Sequence, residues 1–372
     1  MTLFTGITQR VVNTPGLSVG ILEREGDAAS ADPTKTVVLI HDNIASSLFW
    51  MPLMLALPRE LRVIAIDLRG FGATEHAPVD ATRGVRDFSD DIRATLDALG
   101  IPTTHLVGWS LGAAVALQYA LEHPTLSLTL ESPVSPYGFG GTRRDGSRLT
   151  DDDAGTGAGA ANPDFVQRIT DRDESDEAPT SPRTVFRASY VADGYADDHE
   201  DVWVESMLSS STATGNYPGD SVNSENWPGF APGRIGVLNT LSPAHFNVSG
   251  IVALDEKPPI LWVRGELDAI VSDASFFDVN HLGRLGIVPD WPGEDVAPAQ
   301  PMVSQTRDVL QAYASSGGAV TEAVFEGVGH TPHLERPEEF RDALVAHISA
   351  VHASPATDPN PPTEAFIIKS ED

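Results

Sequence analysis

The residues best suited to chemistry in this chain are a serine between two glycines, an aspartate and a histidine, in that order. Ser110 stands at the centre of the sequence Gly-Trp-Ser-Leu-Gly at residues 108–112, and Asp268 and His330 follow far along the chain. A serine hydroxyl becomes a good nucleophile only when a base removes its proton, and that base needs an acid to orient it. Together the three residue types predict attack by a serine on an electrophilic carbon.

A strand and a helix are predicted on either side of Ser110. Leu106 and Val107 are strand-like, and a helical pattern runs from the motif through His123 to a stop at Pro124. A strand that turns directly into a helix holds the serine in a strained conformation, which flanking glycines permit. The hydroxyl then lies at a helix N-terminus, where backbone N–H groups favour developing negative charge. The alternative is an inert serine in a tight turn.

The other two residues also follow predicted strands. Asp268 comes after the apolar run at residues 260–263, and His330 comes after residues 320–325. Further buried strands are predicted at residues 37–40 and 61–66, with helical patterns between them. Short apolar strands that alternate with helices predict an α/β fold with a mostly parallel sheet. In such sheets the active groups gather at the carboxyl ends of the strands.

Composition limits the classes of function. The 372 residues contain 24 Lys plus Arg and 53 Asp plus Glu, a formal net charge of −29, and no cysteine. The charge disfavours nucleic-acid or membrane partners, and the absence of cysteine excludes disulfides and zinc–thiolate sites. The uncharged stretch at residues 98–121 contains Pro and Gly, which favours a buried core over a membrane span. The N-terminus does not resemble a signal peptide, so we expect a cytoplasmic protein.

The middle of the chain differs from its two ends. Residues 151–201 are acidic, and residues 138–141 and 155–159 are rich in glycine, which favours a loop-rich insertion. We therefore predict a catalytic core at residues 1–136 and 256–352, an inserted cap or lid at 137–255 and a C-terminal tail at 353–372. Candidate substrate-binding residues are the aromatic side chains Trp109, Trp203, Trp227 and Phe230. The aromatic residues of the cap could equally form its own small core.

The motif, with its flanking strand and helix and the chain order Ser110, Asp268, His330, resembles the α/β-hydrolase superfamily, and specifically its serine-nucleophile members. The resemblance covers roughly residues 15–136 and 256–352 and implies an α/β-hydrolase fold in which these three residues form a catalytic triad. His330 follows a glycine, as the superfamily histidine does, which favours it over His333. Glu131, at the end of the strand before the predicted insertion, is an alternative acid, because some relatives have the catalytic acid at that position.

The resemblance also implies an oxyanion hole. Its backbone N–H donors would be those of Leu111 and, by position, Asn43. Asn43 lies in the loop after the predicted strand at residues 37–40. In relatives this loop usually begins with His-Gly, whereas in this chain it begins with His41 and Asp42. A carboxylate at this position would be unfavourable beside a developing oxyanion unless it points away, and the alternative for Asp42 is a solvated loop residue.

From these features we predict a hydrolase that cleaves a small-molecule carboxylic ester or lactone through an acyl-enzyme on Ser110, without a cofactor or metal. A serine argues against epoxide hydrolysis and dehalogenation, for which relatives use an aspartate at this position. Two alternatives use the same triad: hydrolysis of a carbon–carbon bond, and cofactor-free peroxyacid formation. A third is a binding protein with slow turnover, such as the hormone receptors of this superfamily. The motifs leave the substrate and the oligomeric state open.

Overall fold

The central element of the fold is an eight-stranded, mostly parallel β-sheet. The computed structural model describes residues 1–25 and 33–353, so the predicted tail lies, except for its first residue, outside the described residues. Its strands are β1 (Ile7–Asn13), β2 (Ser18–Arg24), β3 (Thr36–Ile40), β4 (Arg62–Ile66), β5 (His105–Trp109), β6 (Ser127–Glu131), β9 (Ile260–Gly265) and β10 (Val320–Phe325). They lie in the order β1-β2-β4-β3-β5-β6-β9-β10, and β2 alone is antiparallel to the others. The predicted α/β class and parallel sheet are confirmed.

Helices follow most of the strands and pack on the sheet. The α-helices are α1 (Met51–Ala56), α2 (Arg86–Ala98), α3 (Leu111–Glu122), α4 (Pro163–Asp171), α5 (Pro182–Val185), α6 (Glu200–Leu208), α7 (Val279–Arg284), α8 (Met302–Ser315), α9 (Pro332–Glu335) and α10 (Pro337–Ala353). No helix in the described part of the chain is long and apolar enough to cross a membrane.

The centre of the sheet is buried on both faces. Every residue of β3 and β5 is buried, and β3 pairs in parallel with both β4 and β5. Continuous apolar strands are expected where helices cover both faces of a parallel sheet. This buried centre forms the rigid support from which the loops after β3 and β5 extend.

The segment between β6 and β9 corresponds to the predicted cap and is more helical than its composition predicts. It contains α4, α5 and α6, a π-helical turn at Phe186–Tyr190, and a small antiparallel hairpin of β7 (Ser221–Asn223) and β8 (Phe230–Pro232). The Tyr190 carbonyl accepts a hydrogen bond from the His330 backbone N–H at 3.0 Å. The segment therefore contacts the loop that carries the predicted base.

Candidate active site

Ser110 lies at the sharp turn between β5 and α3. Its backbone has φ 54° and ψ −108°, a conformation that L-residues rarely adopt. The two glycines of the motif are needed for close packing. A Cβ on Gly112 would lie 2.2 Å from the carbonyl oxygen of Ile40, and one on Gly108 would lie 2.3 Å from that of Gly112. The turn thus depends on close contact between α3, its own strand and β3.

Hydrogen bonds hold this strained turn in place. The Ser110 backbone N–H donates to the Glu131 carbonyl at 2.8 Å, and the Ser110 carbonyl accepts from the N–H groups of Ala113 and Ala114 at 3.0 and 3.1 Å. The residue is only 4% exposed and lines a cavity. Its hydroxyl is therefore presented by a fixed backbone at the start of α3.

His330 and Asp268 are brought together by the loops that follow β10 and β9. His330 Nδ1 donates to Asp268 Oδ2 at 2.8 Å, and the two side chains are 0% and 3% exposed. The other carboxylate oxygen of Asp268 accepts from the backbone N–H groups of Ile270 and Val271 at 2.8 and 2.9 Å. The carboxylate is thus fixed from both sides and orients the imidazole ring.

Asp42 lies where the predicted oxyanion hole should be open. Its Oδ1 accepts from the Asn43 N–H at 2.6 Å and from the Leu111 N–H at 3.2 Å. Its Oδ2 lies 3.4 Å from His330 Nε2. The two predicted donors therefore converge on one point, and the Asp42 carboxylate occupies it. Since Asp42 is only 4% exposed, the alternative of a solvated loop residue is wrong.

The two carboxylates next to the ring control the protonation of His330. Burial alone would lower its pKa, but the charge and hydrogen bond of Asp268, together with those of Asp42, outweigh this and raise the pKa to about 10. At neutral pH the imidazole is therefore charged in this arrangement. Both of its N–H groups then face a carboxylate.

The loop that carries Asp42 is shaped by its neighbours. His41 accepts from the Leu68 N–H through Nε2 at 3.0 Å and donates from Nδ1 to the Asp42 carbonyl at 2.6 Å. Burial lowers the pKa of His41, which agrees with this neutral ring. Ile44 has φ 49°, which is unusual for a β-branched residue. His41 thus fixes the backbone of the loop.

The alternative acid and the alternative base form a second pair. Glu131 Oε1 accepts from both the backbone N–H and Nδ1 of His333, at 2.9 and 2.8 Å, and both side chains are 0% exposed. The His333 ring packs against Trp50 with 4.3 Å between ring centroids. Glu131 therefore orients His333, whereas Asp268 orients His330.

A cavity of about 430 Å³ opens beside Ser110. Its wall is mostly apolar and includes side chains from the insertion and from the loop after β9. Among the described residues that line it, the charged ones are Asp42 and Asp278, and none is Lys, Arg or His. Burial raises the pKa of Asp278 to about 6, against backbone hydrogen bonds from Gln300 and Asn280. The cavity wall is thus mostly apolar, and its two carboxylates disfavour a negatively charged molecule.

None of the four aromatic residues predicted to bind substrate lines this cavity. Trp109 is fully buried behind the turn and donates from Nε1 to the His330 carbonyl at 2.9 Å. Trp203 is fully buried and donates to Asp197. Trp227 donates to the Pro289 carbonyl, and Phe230 packs near Gly159, where a Cβ would lie 2.3 Å from its ring. These aromatic side chains pack within the protein. Residue type alone does not distinguish such a packing role from substrate binding.

Tyr190 is a residue of the site that sequence analysis missed. It lines the cavity, and its hydroxyl donates to the Asn43 carbonyl at 3.0 Å while its own carbonyl accepts from the His330 N–H. Burial raises the pKa of Tyr190 well above its usual value, so the phenol stays neutral. One residue of the insertion thus contacts both loops of the site, and no sequence motif marks it.

Among residues 1–25 and 33–353, no group of three or more His, Cys, Asp or Glu side chains is arranged to hold a metal ion. The acidic stretch at residues 197–201 is instead bonded within the protein. Asp197 accepts from Tyr195 and Trp203, and Glu200 pairs with Arg183 at 2.6 Å.

With this geometry in view, comparison with known proteins identifies the family. Residues 35–276 match the profile of the alpha/beta hydrolase fold. The chain belongs to the α/β-hydrolase family.

Individual relatives match over shorter stretches. The chain is 36% identical over 103 residues to a putative carbamate hydrolase, RutD, of Caulobacter sp. strain K31, covering 28% of this chain and 38% of that protein. It is 29% identical over 97 residues to carboxylesterase YbfK of Bacillus subtilis, covering 26% and 32%. The matches thus span about a third of the length of these relatives. Among solved structures, a putative aryl esterase from Burkholderia cenocepacia has a TM-score of 0.56 at 18% identity, covering 93% of this chain and 100% of that chain.

Proposed function

We propose that this protein is a serine hydrolase that cleaves a carboxylic ester or a lactone. The observation that carries the proposal is a strained serine at the start of α3 that lines a cavity of about 430 Å³, together with a buried His330–Asp268 pair that Asp42 connects to the same turn. The relatives named as a carboxylesterase and a carbamate hydrolase support the same class of reaction, acyl transfer to water.

The proposed reaction has two stages. Ser110 Oγ attacks the substrate carbonyl carbon while Nε2 of neutral His330 takes the hydroxyl proton; the bond to the leaving alcohol breaks and the alcohol takes that proton. A water molecule then attacks the acyl-enzyme, His330 accepts its proton, and the carboxylic acid leaves as Ser110 recovers a proton. Asp268 orients the ring throughout.

The oxyanion of each stage would lie between the N–H groups of Asn43 and Leu111. In comparable enzymes, removal of one such donor lowers kcat about 10²–10³-fold. Because the Asp42 carboxylate fills this position, it must rotate away before a carbonyl oxygen can enter. The cavity beside it offers the space for that rotation.

The test is hydrolysis of 4-nitrophenyl butyrate and of γ-butyrolactone by the wild type and by Ser110→Ala. We expect the substitution to reduce turnover to the background rate, and a fluorophosphonate probe to label Ser110 in the wild type. Ser315→Ala, which changes an exposed serine at the end of α8, is the control and should behave as the wild type. A Ser110→Ala protein that still hydrolyses the ester would refute the mechanism.

The position of Asp42 also favours a second candidate, a ligand-binding protein with slow turnover. An occupied oxyanion hole slows acyl transfer without closing the cavity. Quantifying product per mole of enzyme separates the two candidates. Many turnovers support the hydrolase, whereas release of one equivalent of alcohol followed by retention of the acyl group supports the binding protein.

A further inference from the structure

The Asp42 carboxylate has the contacts of a bound carboxylate anion. Oδ1 accepts from the N–H groups of Asn43 and Leu111, and Oδ2 faces Nε2 of His330 at 3.4 Å. These are the three groups that the oxyanion and the attacking serine need. In the resting protein, therefore, the side chain of Asp42 competes directly with substrate.

We propose that Asp42 is a specificity-determining residue that makes the enzyme prefer acyl groups carrying a positive charge close to the scissile carbonyl, such as α- or β-ammonium esters. The proposal rests on the proposed function. The carboxylate must leave the hole for catalysis, and a substrate that gives it a new partner makes this step favourable.

The surroundings of the cavity supply the first reason. A displaced Asp42 carboxylate would lose two N–H donors and its contact with the imidazole ring. The other charged residue on the described cavity wall is Asp278, which repels it and whose two oxygens already accept from the backbone of Asn280 and Gln300. A buried charge without a compensating partner is strongly unfavourable.

The charge of the substrate supplies the second reason. An ammonium group in the cavity would pair with the displaced carboxylate. A negatively charged acyl group would meet the carboxylates of Asp42 and Asp278, and the described residues that line the cavity include no Lys, Arg or His. Oδ1 of Asp42 starts within 3.2 Å of both hole donors, and its side chain rotates about only two bonds. The ammonium group must therefore lie within a few bonds of the carbonyl carbon.

The experiment compares three 4-nitrophenyl esters of similar size, those of alanine, propionic acid and malonic acid (as the half-ester). Values of kcat/KM are measured at pH 7 for the wild type, Asp42→Gly and Asp42→Asn. Because an ammonium group also raises the intrinsic reactivity of an ester, the measured quantity is the alanine-to-propionate ratio in the wild type divided by the same ratio in Asp42→Gly. Intrinsic reactivity cancels in this double ratio.

We expect a double ratio of at least ten. Among the three esters, the wild type should hydrolyse the malonate half-ester most slowly. Asp42→Gly should hydrolyse the propionate ester at least tenfold faster than the wild type does. Asp42→Asn keeps the size of the side chain and removes its charge, so its alanine-to-propionate ratio should fall towards that of Asp42→Gly. This variant also tests the proposal if Asp42→Gly does not fold.

Two results would overturn the proposal. Hydrolysis that depends on Ser110 but shows the same alanine-to-propionate ratio in all three proteins removes the role of Asp42 and leaves the proposed function intact. Absence of Ser110-dependent hydrolysis of every ester, in the wild type and both variants, removes the proposed function and this proposal with it.

Discussion

His330 lies between two carboxylates, and this decides when it can act as a base. Asp268 faces Nδ1 and Asp42 faces Nε2, while the rings of Trp109 and Tyr190 lie 5.7 and 6.1 Å away between centroids. Tyr190 stays neutral, so the two carboxylates are the charges that matter. With a pKa of about 10, His330 is protonated at pH 7 and cannot accept a proton from Ser110 until it loses its own.

The pH dependence of catalysis follows from this. Since neutral His330 is the active form and its pKa is raised, kcat/KM for a neutral ester should rise with pH from 7 to about 10 in the wild type. Asp42→Asn removes one of the charges that raise the pKa of His330, so the rising limb should move to lower pH. A pH-stat assay on ethyl butyrate measures both profiles. Superimposable profiles would contradict the role given to Asp42.

Close packing between α3 and β3 supports the strained turn at Ser110. Gly112 lies against the Ile40 carbonyl with no room for a side chain, so its role is set by contact rather than by helix propensity. Alanine is the better helix former by about 1 kcal/mol, but overpacking of a rigid contact costs about 1–3 kcal/mol. The contact should therefore outweigh the propensity.

Gly112→Ala should accordingly lower the free energy of unfolding by up to about 2 kcal/mol and reduce ester hydrolysis at least tenfold, because α3 must move away from β3 and carry Ser110 with it. Urea unfolding followed by circular dichroism measures the first effect. Gly250→Ala is the matched control: a Cβ there would approach only Leu121, at 3.8 Å, so stability should change little. Equal loss of stability in both variants would contradict the packing argument.

Sequence predicted the buried elements well because their signal is local. The apolar runs of β3 and β9 indicate burial directly, and the glycines around Ser110 indicate close approach of the backbone. β1 was not predicted, because Thr8, Gln9 and Arg10 give it no clear apolar period.

The side-chain placements that were missed depend on distant parts of the chain. The direction of the Asp42 carboxylate is set by Leu111 and His330, and the cavity residue Tyr190 is positioned by the insertion. Residue type likewise did not separate Trp203, which packs in the core, from a cavity residue. No pattern of neighbouring residues encodes such long-range contacts.

At the scale of the whole molecule, the excess of 53 acidic over 24 basic residues is the dominant electrostatic feature. With a net charge of −29, the acidic side chains repel one another more strongly in the compact folded state than in the expanded unfolded chain. Individual surface ion pairs, which salt also weakens, contribute about 0–1 kcal/mol each. Added salt should therefore stabilise the folded state, because it weakens the net repulsion more than it weakens the ion pairs.

Raising NaCl from 10 to 100 mM at pH 7 should increase the thermal unfolding midpoint by about 1–3 °C, because the screening length falls from about 30 to about 10 Å. Differential scanning calorimetry at the two concentrations measures this change. A midpoint that stays constant or falls would show that attractive ion pairs dominate instead.

Tyr190 and Glu335 tie the insertion to the histidine loop in a way that matters for protein engineering. Glu335 accepts from the backbone N–H groups of Gly329 and Ala192 at 2.9 and 2.8 Å, beside the bond from His330 to the Tyr190 carbonyl. Exchange of the whole insertion between relatives would combine residues 190–192 of one parent with residues 329–335 of the other, and these bonds would then depend on groups from two different proteins. Chimeras that keep residues 190–192 and 329–335 from the same parent preserve this junction.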